Sequence, residues 1–421
     1  MLNEFRSRKI GVAGYRFSAF NDYIDGYLSW MVADGYSKST LHGYLGHIRA
    51  FAAFLKRKRI KPADLNDHHV PEFLKWYKLF YRGPFPRRVR HSRRMEKTQA
   101  AAVRSLLKYL QESGFARRSG VYESVPPVVQ RYVEYLTMHR GLSEVTVSRY
   151  RKRAIRFHGY LADRSLSFES MKAKHVEDFV MASENPKAPT ARPAQVEFMR
   201  GFLRYLKTNK LVPKTCQPFL PNRRRYAQAS LPTVLRPGDA QKTLQHVDRS
   251  KPAGKRDFAI LQLLKTYGLR GGEVARLSLG DIDWRAQVIR VRQSKTRRSL
   301  ELPLLPAPAR AILAYLQRGR PKQAKTRFLF TNMNAPHRGM TTGGIWQLVA
   351  KALLRAGVHS PKRGSHIFRH SRATELLRQG EPLKSIGDLL GHKRLSSTFW
   401  YCKLAVADLQ QVALELPGGA Q

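Results

Sequence analysis

Apolar residues recur at helical spacing twice in the first half of the chain. In GYSKSTLHGYLGHIRAFAAFL (35–55), Tyr44, Ile48, Phe51 and Leu55 follow one another at intervals of four, three and four. That spacing gathers them on one face of an amphipathic helix. Gly35 is placed to close the preceding turn and Ser37 to cap the helix. The segment GLSEVTVSRYRKRAIRFHGYL (141–161) repeats the pattern at an offset of 106, with six of 21 positions identical: Gly35/Gly141, Ser37/Ser143, Thr40/Thr146, Tyr44/Tyr150, Phe51/Phe157 and Leu55/Leu161. The same offset pairs His69, Val70 and Phe73 with His175, Val176 and Phe179, and LLKYL (106–110) answers FLRYL (202–206) after a ten-residue difference in length. The chain therefore carries two helical modules of one kind in tandem.

The pattern changes further on. KTNKLVPKTCQPFLPNRRRYAQASLPTVL (207–235) is Pro-rich without periodicity and reads as a connection between domains. After it, GKRDFAILQLLKTYG (254–268) predicts a helix closed by Gly268, RGGEVARLSL a short helical turn, and DIDWRAQVIRVRQSKTRRSLELPL (281–304) three short strands of a small antiparallel sheet. Helices return in ARAILAYLQRG, TGGIWQLVAKALLRAG, HIFRHSRATELLRQG and PLKSIGDLLG, and Leu409, Val412, Ala413 and Leu416 form one face of a last helix before Pro417-Gly418. These patterns divide the chain into a first helical module (1–118), a second (119–210), a linker (211–234) and a third domain (235–421). The fold expected is multidomain and mainly α, with an α+β third domain.

Charge narrows the class of partner. The 77 Lys and Arg residues against 30 Asp and Glu give a formal +47, which favours a polyanion such as DNA. Several of the basic residues of the modules are expected to contact phosphate. In the second, the solvent side of the repeated helix reads Arg149, Arg151, Lys152, Arg153 and Arg156, and RGPFPRRVRHSRRMEK (82–97) reads as an exposed basic loop of the first. The two cysteines, Cys216 and Cys402, are far apart and outside any CxxC or Cys/His spacing, so neither a disulfide framework nor a metal site is expected. No cofactor is suggested. The N-terminus lacks an apolar signal-like core and no apolar run approaches a membrane span, so the expectation is a cytoplasmic, nucleoid-associated protein without membrane attachment.

Four strings then stand in order: TYGLRGGEVARL, RQSKTRRSLELPL, HIFRHSRAT and LLGHKRLSSTFWY. Together they resemble the signature of the tyrosine recombinases, the phage integrase family, across residues 235–405. The resemblance fills six catalytic positions with Arg270, Lys295, His366, Arg369, His392 and Tyr401, and implies SAM-like core-binding folds for the upstream modules. It implies that Arg270 and Arg369 hold the non-bridging phosphate oxygens. Tyr401 would displace the 5'-oxygen to leave a 3'-phosphotyrosine, without metal or ATP. Lys295 would protonate the leaving 5'-oxygen, His366 serve the tyrosine hydroxyl as acid/base and His392 donate to the phosphate. Glu273 would support the site, and Trp400 the tyrosine. His370, Arg372 and Arg276 read as packing or phosphate-positioning residues, while Lys393 and Arg394 stand as further candidates for DNA contact.

The implied function is site-specific DNA recombination for integration, excision or transposition of a mobile element. The implied assembly is a homo- or hetero-tetramer on two double-stranded DNA sites, coupled by exchange of the terminal helix. A type IB topoisomerase and a non-catalytic accessory subunit are the alternatives.

Overall fold

The computed structural model describes residues 20–80, 93–116, 125–182, 191–220, 232–293 and 299–391, with Thr398, Tyr401 and Cys402. Among the described residues are fifteen α-helices and one three-stranded sheet. The chain groups into two compact units, one of residues 1–62, 70–113 and 228–421 and the other of 63–69 and 114–227.

The first module consists of α1 (Ile24–Ala33), α2 (Lys38–Lys58), α3 (His69–Phe80) and α4 (Arg93–Glu112), all within the first unit save His69. The residues Arg93 to Lys97, expected in a basic loop, instead open α4. Apolar spacing later in that helix carries the helical conformation back over them, and Glu96 in its first turn pairs with Lys78 at 3.1 Å. Residues 81–92, the rest of that expected loop, lie outside the described residues.

The second unit holds α5 (Pro127–Met138), α6 (Glu144–Ala162), α7 (Ala173–Met181) and α8 (Ala191–Thr208). Tyr132, Phe157, Phe179 and Phe202 form its aromatic centre, with the Tyr132 and Phe202 rings 4.7 Å apart. The chain that leaves α8 packs back onto this module: Val212 and Cys216 join its core and the Phe219 amide donates to Glu177 at 2.6 Å.

The repeat seen in the sequence is also a repeat of local structure. Gly35 and Gly141 both take left-handed backbone angles, φ 80° and φ 55°. Just after them, Ser37 Oγ meets Thr40 Oγ1 at 2.9 Å and Ser143 Oγ meets Thr146 Oγ1 at 3.0 Å. Phe51 and Phe157 are both fully buried, and so are Leu106, Leu110, Phe202 and Leu206 at the second matched pair of helices.

The third domain runs α9 (Asp239–Gln245), α10 (Pro252–Tyr267), α11 (Gly271–Arg276), the strands β1 (Ile282–Asp283), β2 (Val288–Arg292) and β3 (Ser299–Pro303), then α12 (Pro306–Arg318), α13 (Thr342–Arg355), α14 (His366–Arg378) and α15 (Leu383–Leu390). The sheet is antiparallel in the order β1-β2-β3, and Ile289 faces Ile282 on one side and Leu302 on the other. Alternation in β2 sends Ile289 and Val291 into a core shared with Ile260, Leu264, Ile312, Phe330, Val349 and Phe368. The Tyr267 hydroxyl donates to the Pro303 carbonyl at 2.7 Å and accepts the Leu305 amide at 3.0 Å, which ties the end of α10 to the exit from the sheet.

Glycine ends two helices of this domain. α10 stops at Gly268 and α15 at Gly391, each with φ 63°. A side chain in that conformation is strained, so glycine allows both helices to end abruptly. At Gly391 space is also refused, because a Cβ there would overlap the buried side chain of Gln293 just beyond β2. Replacement of Gly391 by Ala is expected to lower the thermal midpoint of the protein by several degrees, from a backbone penalty of about 1 kcal/mol plus the displacement of Gln293. Scanning calorimetry against Gly357→Ala, whose glycine has the same φ and open space around it, measures the contribution of Gln293.

Candidate active site

Arg369 lies in the first turn of α14, buried to 3 % exposure. Its two terminal nitrogens donate to the carbonyls of Gly268 at 3.0 Å and Leu390 at 2.5 Å. Those carbonyls belong to the C-terminal ends of α10 and α15, where carbonyls lack intrahelical partners and the helix dipoles are negative. One guanidinium therefore closes two helix ends, and the helix ends fix its plane. Burial, with Arg270 nearby, pushes the Arg369 pKa down to about 10, so it stays charged at neutral pH.

Arg270 reaches the same place from the turn after Gly268. It caps α11, with its amide held by Glu273 Oε2 at 2.8 Å and its guanidinium by Glu273 Oε1 at 2.6 Å. Glu273 is itself 3 % exposed, so one buried carboxylate both starts the helix and aims the arginine. It also offsets the repulsion between two neighbouring guanidinium groups.

Tyr401 packs into a small cluster with Ala373, Leu376, Ile386 and Leu390, on α14 and α15. Its hydroxyl lies within hydrogen-bonding reach of the Arg369 guanidinium and 3.0 Å from His370 Nδ1. Burial raises the tyrosine pKa above its ordinary value, although Arg369 and Arg270 pull it down. The hydroxyl is therefore protonated at neutral pH and needs a base before it can act as a nucleophile. Burial drives the His370 pKa down to about 4, helped by the charges of His366, Arg369 and Lys362.

Arg270 and Tyr401 thus both lie beside Arg369, with Glu273 bonded to Arg270. The histidine against the tyrosine hydroxyl is His370 and not His366. The His366 ring is one turn earlier on the same helix face, its centroid 6.1 Å from that of His370. The signal was available in HIFRH, because residues three and four after His366 share its face of the helix. Arg372, by contrast, spends its guanidinium on Glu375 at 2.8 Å.

Lys295 and His392 lie outside the described residues, as do Trp400, Lys393, Arg394 and the terminal helix expected beyond residue 402. The packing of Gln293 on Gly391 nevertheless joins the chain two residues before Lys295 to the residue just before His392. No helix among the described residues is long and apolar enough to cross a membrane.

Comparison with known proteins identifies the family of the chain. Residues 233–407 match the phage integrase family, and residues 129–210, the second helical module, match the phage integrase N-terminal SAM-like domain. The chain is 31 % identical over 405 residues to y4rA of Sinorhizobium fredii, designated an integrase/recombinase, covering 95 % of each protein. It is 27 % identical over 290 residues to the tyrosine recombinase XerD of Listeria innocua, covering 68 % of this chain and 96 % of that one. The fold matches that of the XerH site-specific recombinase in a post-cleavage complex with a palindromic difH substrate, with a TM-score of 0.52, 18 % identity, and coverage of 68 % of this chain and 82 % of that one. The chain belongs to the phage integrase family of tyrosine recombinases, enzymes of site-specific DNA recombination.

Two measurements test the site. Histidine NMR is expected to show His370 uncharged throughout neutral pH and protonating only near pH 4. Because the folded value lies below that of a free histidine, the unfolded chain binds the extra proton first, and stability falls as the pH drops from about 6.5 toward 4. Replacement of Glu273 by Ala is expected to destabilise the protein by about 2–3 kcal/mol in chemical denaturation, with Glu273→Gln losing less because it keeps an acceptor for the Arg270 amide.

Proposed function

We propose that this chain cleaves and rejoins double-stranded DNA at a specific site through a covalent bond to Tyr401, to integrate, excise or transpose a mobile element. The observation that carries the reading is the buried Tyr401 hydroxyl between a histidine and a guanidinium that two helix ends hold in place. An arginine can only donate, so the hydroxyl accepts from Arg369 and turns its own proton toward neutral His370. In the forward step that proton passes to His370 Nδ1, Tyr401 Oη bonds to phosphorus, and the bond from phosphorus to the 5'-oxygen breaks. Lys295 supplies the proton that the departing oxygen takes up. Arg270 and Arg369 bear the charge that grows on the non-bridging oxygens, with His366 and His392 assigned to the phosphate side.

Reversal with the 5'-hydroxyl of another strand rejoins DNA. The phosphodiester energy is kept in the tyrosyl ester, so the cycle as drawn uses neither ATP nor a metal. Exchange between two duplexes calls for four protomers, two on each site, from one chain or from sibling recombinases. Such a substrate places the protein at the nucleoid. The recombinase relatives favour this reading over a topoisomerase or an inert accessory subunit.

A nicked duplex built from the ends of the element that carries the gene tests it. The unaltered protein is expected to form a denaturant-stable protein–DNA adduct, Tyr401→Phe none, and His370→Gln an adduct that forms about a hundredfold more slowly. Tight binding without an adduct from the unaltered protein would overturn the assignment.

A further inference from the structure

The tandem modules share their core and their caps but not their surfaces. On α6 of the second copy, Arg149, Lys152 and Arg156 are exposed at intervals of three and four, one continuous edge of the helix. Arg153, also expected there, donates instead to the Ala194 carbonyl at 2.8 Å. Moving back by the repeat offset, the positions of Arg149, Lys152 and Arg156 are occupied on α2 by Gly43, Gly46 and Ala50. Those of Arg151, Arg153 and His158 are Leu45, His47 and Ala52. Leu45, His47, Ala50 and Ala52 are all buried, none above 7 % exposure. Along the edge itself Gly43 is exposed, Gly46 half-buried and Ala50 buried, and with no charge on any of them this edge offers a phosphate backbone no cation. The charges that α2 keeps in its last turn, Lys56, Arg57 and Lys58, sit where cations complement the helix dipole, which leaves Arg49 as the exposed cation midway along it.

The turn that opens the repeated helix has diverged as well. In the second copy it reads Arg140-Gly141-Leu142, with Arg140 and Gly141 exposed and open space where a Cβ on Gly141 would stand. In the first copy it reads Asp34-Gly35-Tyr36 and lies against the catalytic domain. Lys325 Nζ donates to Asp34 Oδ1 at 3.1 Å. A Cβ on Gly35 would lie 3.2 Å from His337 Nε2 and 3.3 Å from Gln323 Cβ. An exposed ion pair holds little by itself, but here it flanks a glycine in close contact with the buried His337.

We propose that the two copies have divided their work: the second grips the DNA backbone through the cationic edge of α6, whereas the first has given up that face and docks on the catalytic domain through the Asp34-Gly35-Tyr36 turn. This rests on the reading of the chain as a DNA recombinase, but it does not depend on cleavage. The first module then serves as a fixed brace for the loop of residues 323–338, and only one copy contributes phosphate contacts through the repeated helix.

Two experiments with the full chain test this. The first compares Arg149→Gln/Lys152→Gln/Arg156→Gln with Arg49→Gln/Lys56→Gln/Lys58→Gln, which remove equal charge from α6 and α2, in binding to a 30-base-pair duplex over a range of salt. Each phosphate contact contributes about 0.9 to the slope of log affinity against log salt, so the α6 set is expected to lower the slope by about 2–3 and the α2 set by less than 1. Equal losses, or a loss confined to α2, would overturn the division. The second uses a carbodiimide to join Asp34 and Lys325 directly, with the crosslinked peptide quantified by mass spectrometry. An unchanged yield on adding DNA supports docking, and its disappearance on DNA binding would refute it. If the unaltered chain showed no salt-dependent binding to DNA, the recombinase reading itself would fail and this proposal with it, whereas equal slopes for the two variants would sink the proposal alone.

Discussion

Arg369 is the residue around which the catalytic domain is arranged. A guanidinium taken out of water needs acceptors for its donors, and here the acceptors are the last carbonyls of two helices. That single demand holds together the ends of α10 and α15, each closed by its own left-handed glycine, with α14 beside them. The same guanidinium then reaches Tyr401, so the group that binds the helix ends also marks the place of the proposed nucleophile. Structural and chemical demands meet in one side chain.

Glu273 and His370 set the charge state of this centre. Glu273 is a buried carboxylate bonded to Arg270, and its charge also favours the charged form of Arg369. His370 sits among cations and in low dielectric, so its neutral form is favoured at physiological pH. A neutral imidazole against a protonated phenol is a pair from which a proton can move once a phosphate accepts the phenolic oxygen. Ion pairing and desolvation therefore act in opposite directions within a few ångströms: the first keeps the arginines charged, the second keeps the histidine uncharged.

Duplication explains the rest of the chain. A helical module with an aromatic core can be copied without loss of fold, because its caps and its buried face move together, as Ser37, Phe51 and Leu55 do with Ser143, Phe157 and Leu161. Its solvent face is free to diverge. In the second copy that face carries a cationic edge, and in the first the same edge is small and uncharged.

Periodicity and turn chemistry in the sequence determined the amphipathic helices of both modules, the three short strands and the stop at Gly268, because each depends on neighbours within a turn, whereas Arg270, Arg369 and Tyr401 were singled out by the order of short motifs that resemble a family and not by any local pattern. The start of α4 at Arg93 was hidden by the density of basic residues around it. Which histidine stands against the tyrosine was not decided by sequence, since His366 and His370 share one helix face and only the packing of Tyr401 against α14 distinguishes them. The carbonyls that hold Arg369 were equally invisible, because 101 and 21 residues separate the partners and no local pattern records a backbone acceptor. Only the tertiary structure, by bringing two helix ends to one buried charge, decided where Arg369, His370 and Tyr401 meet.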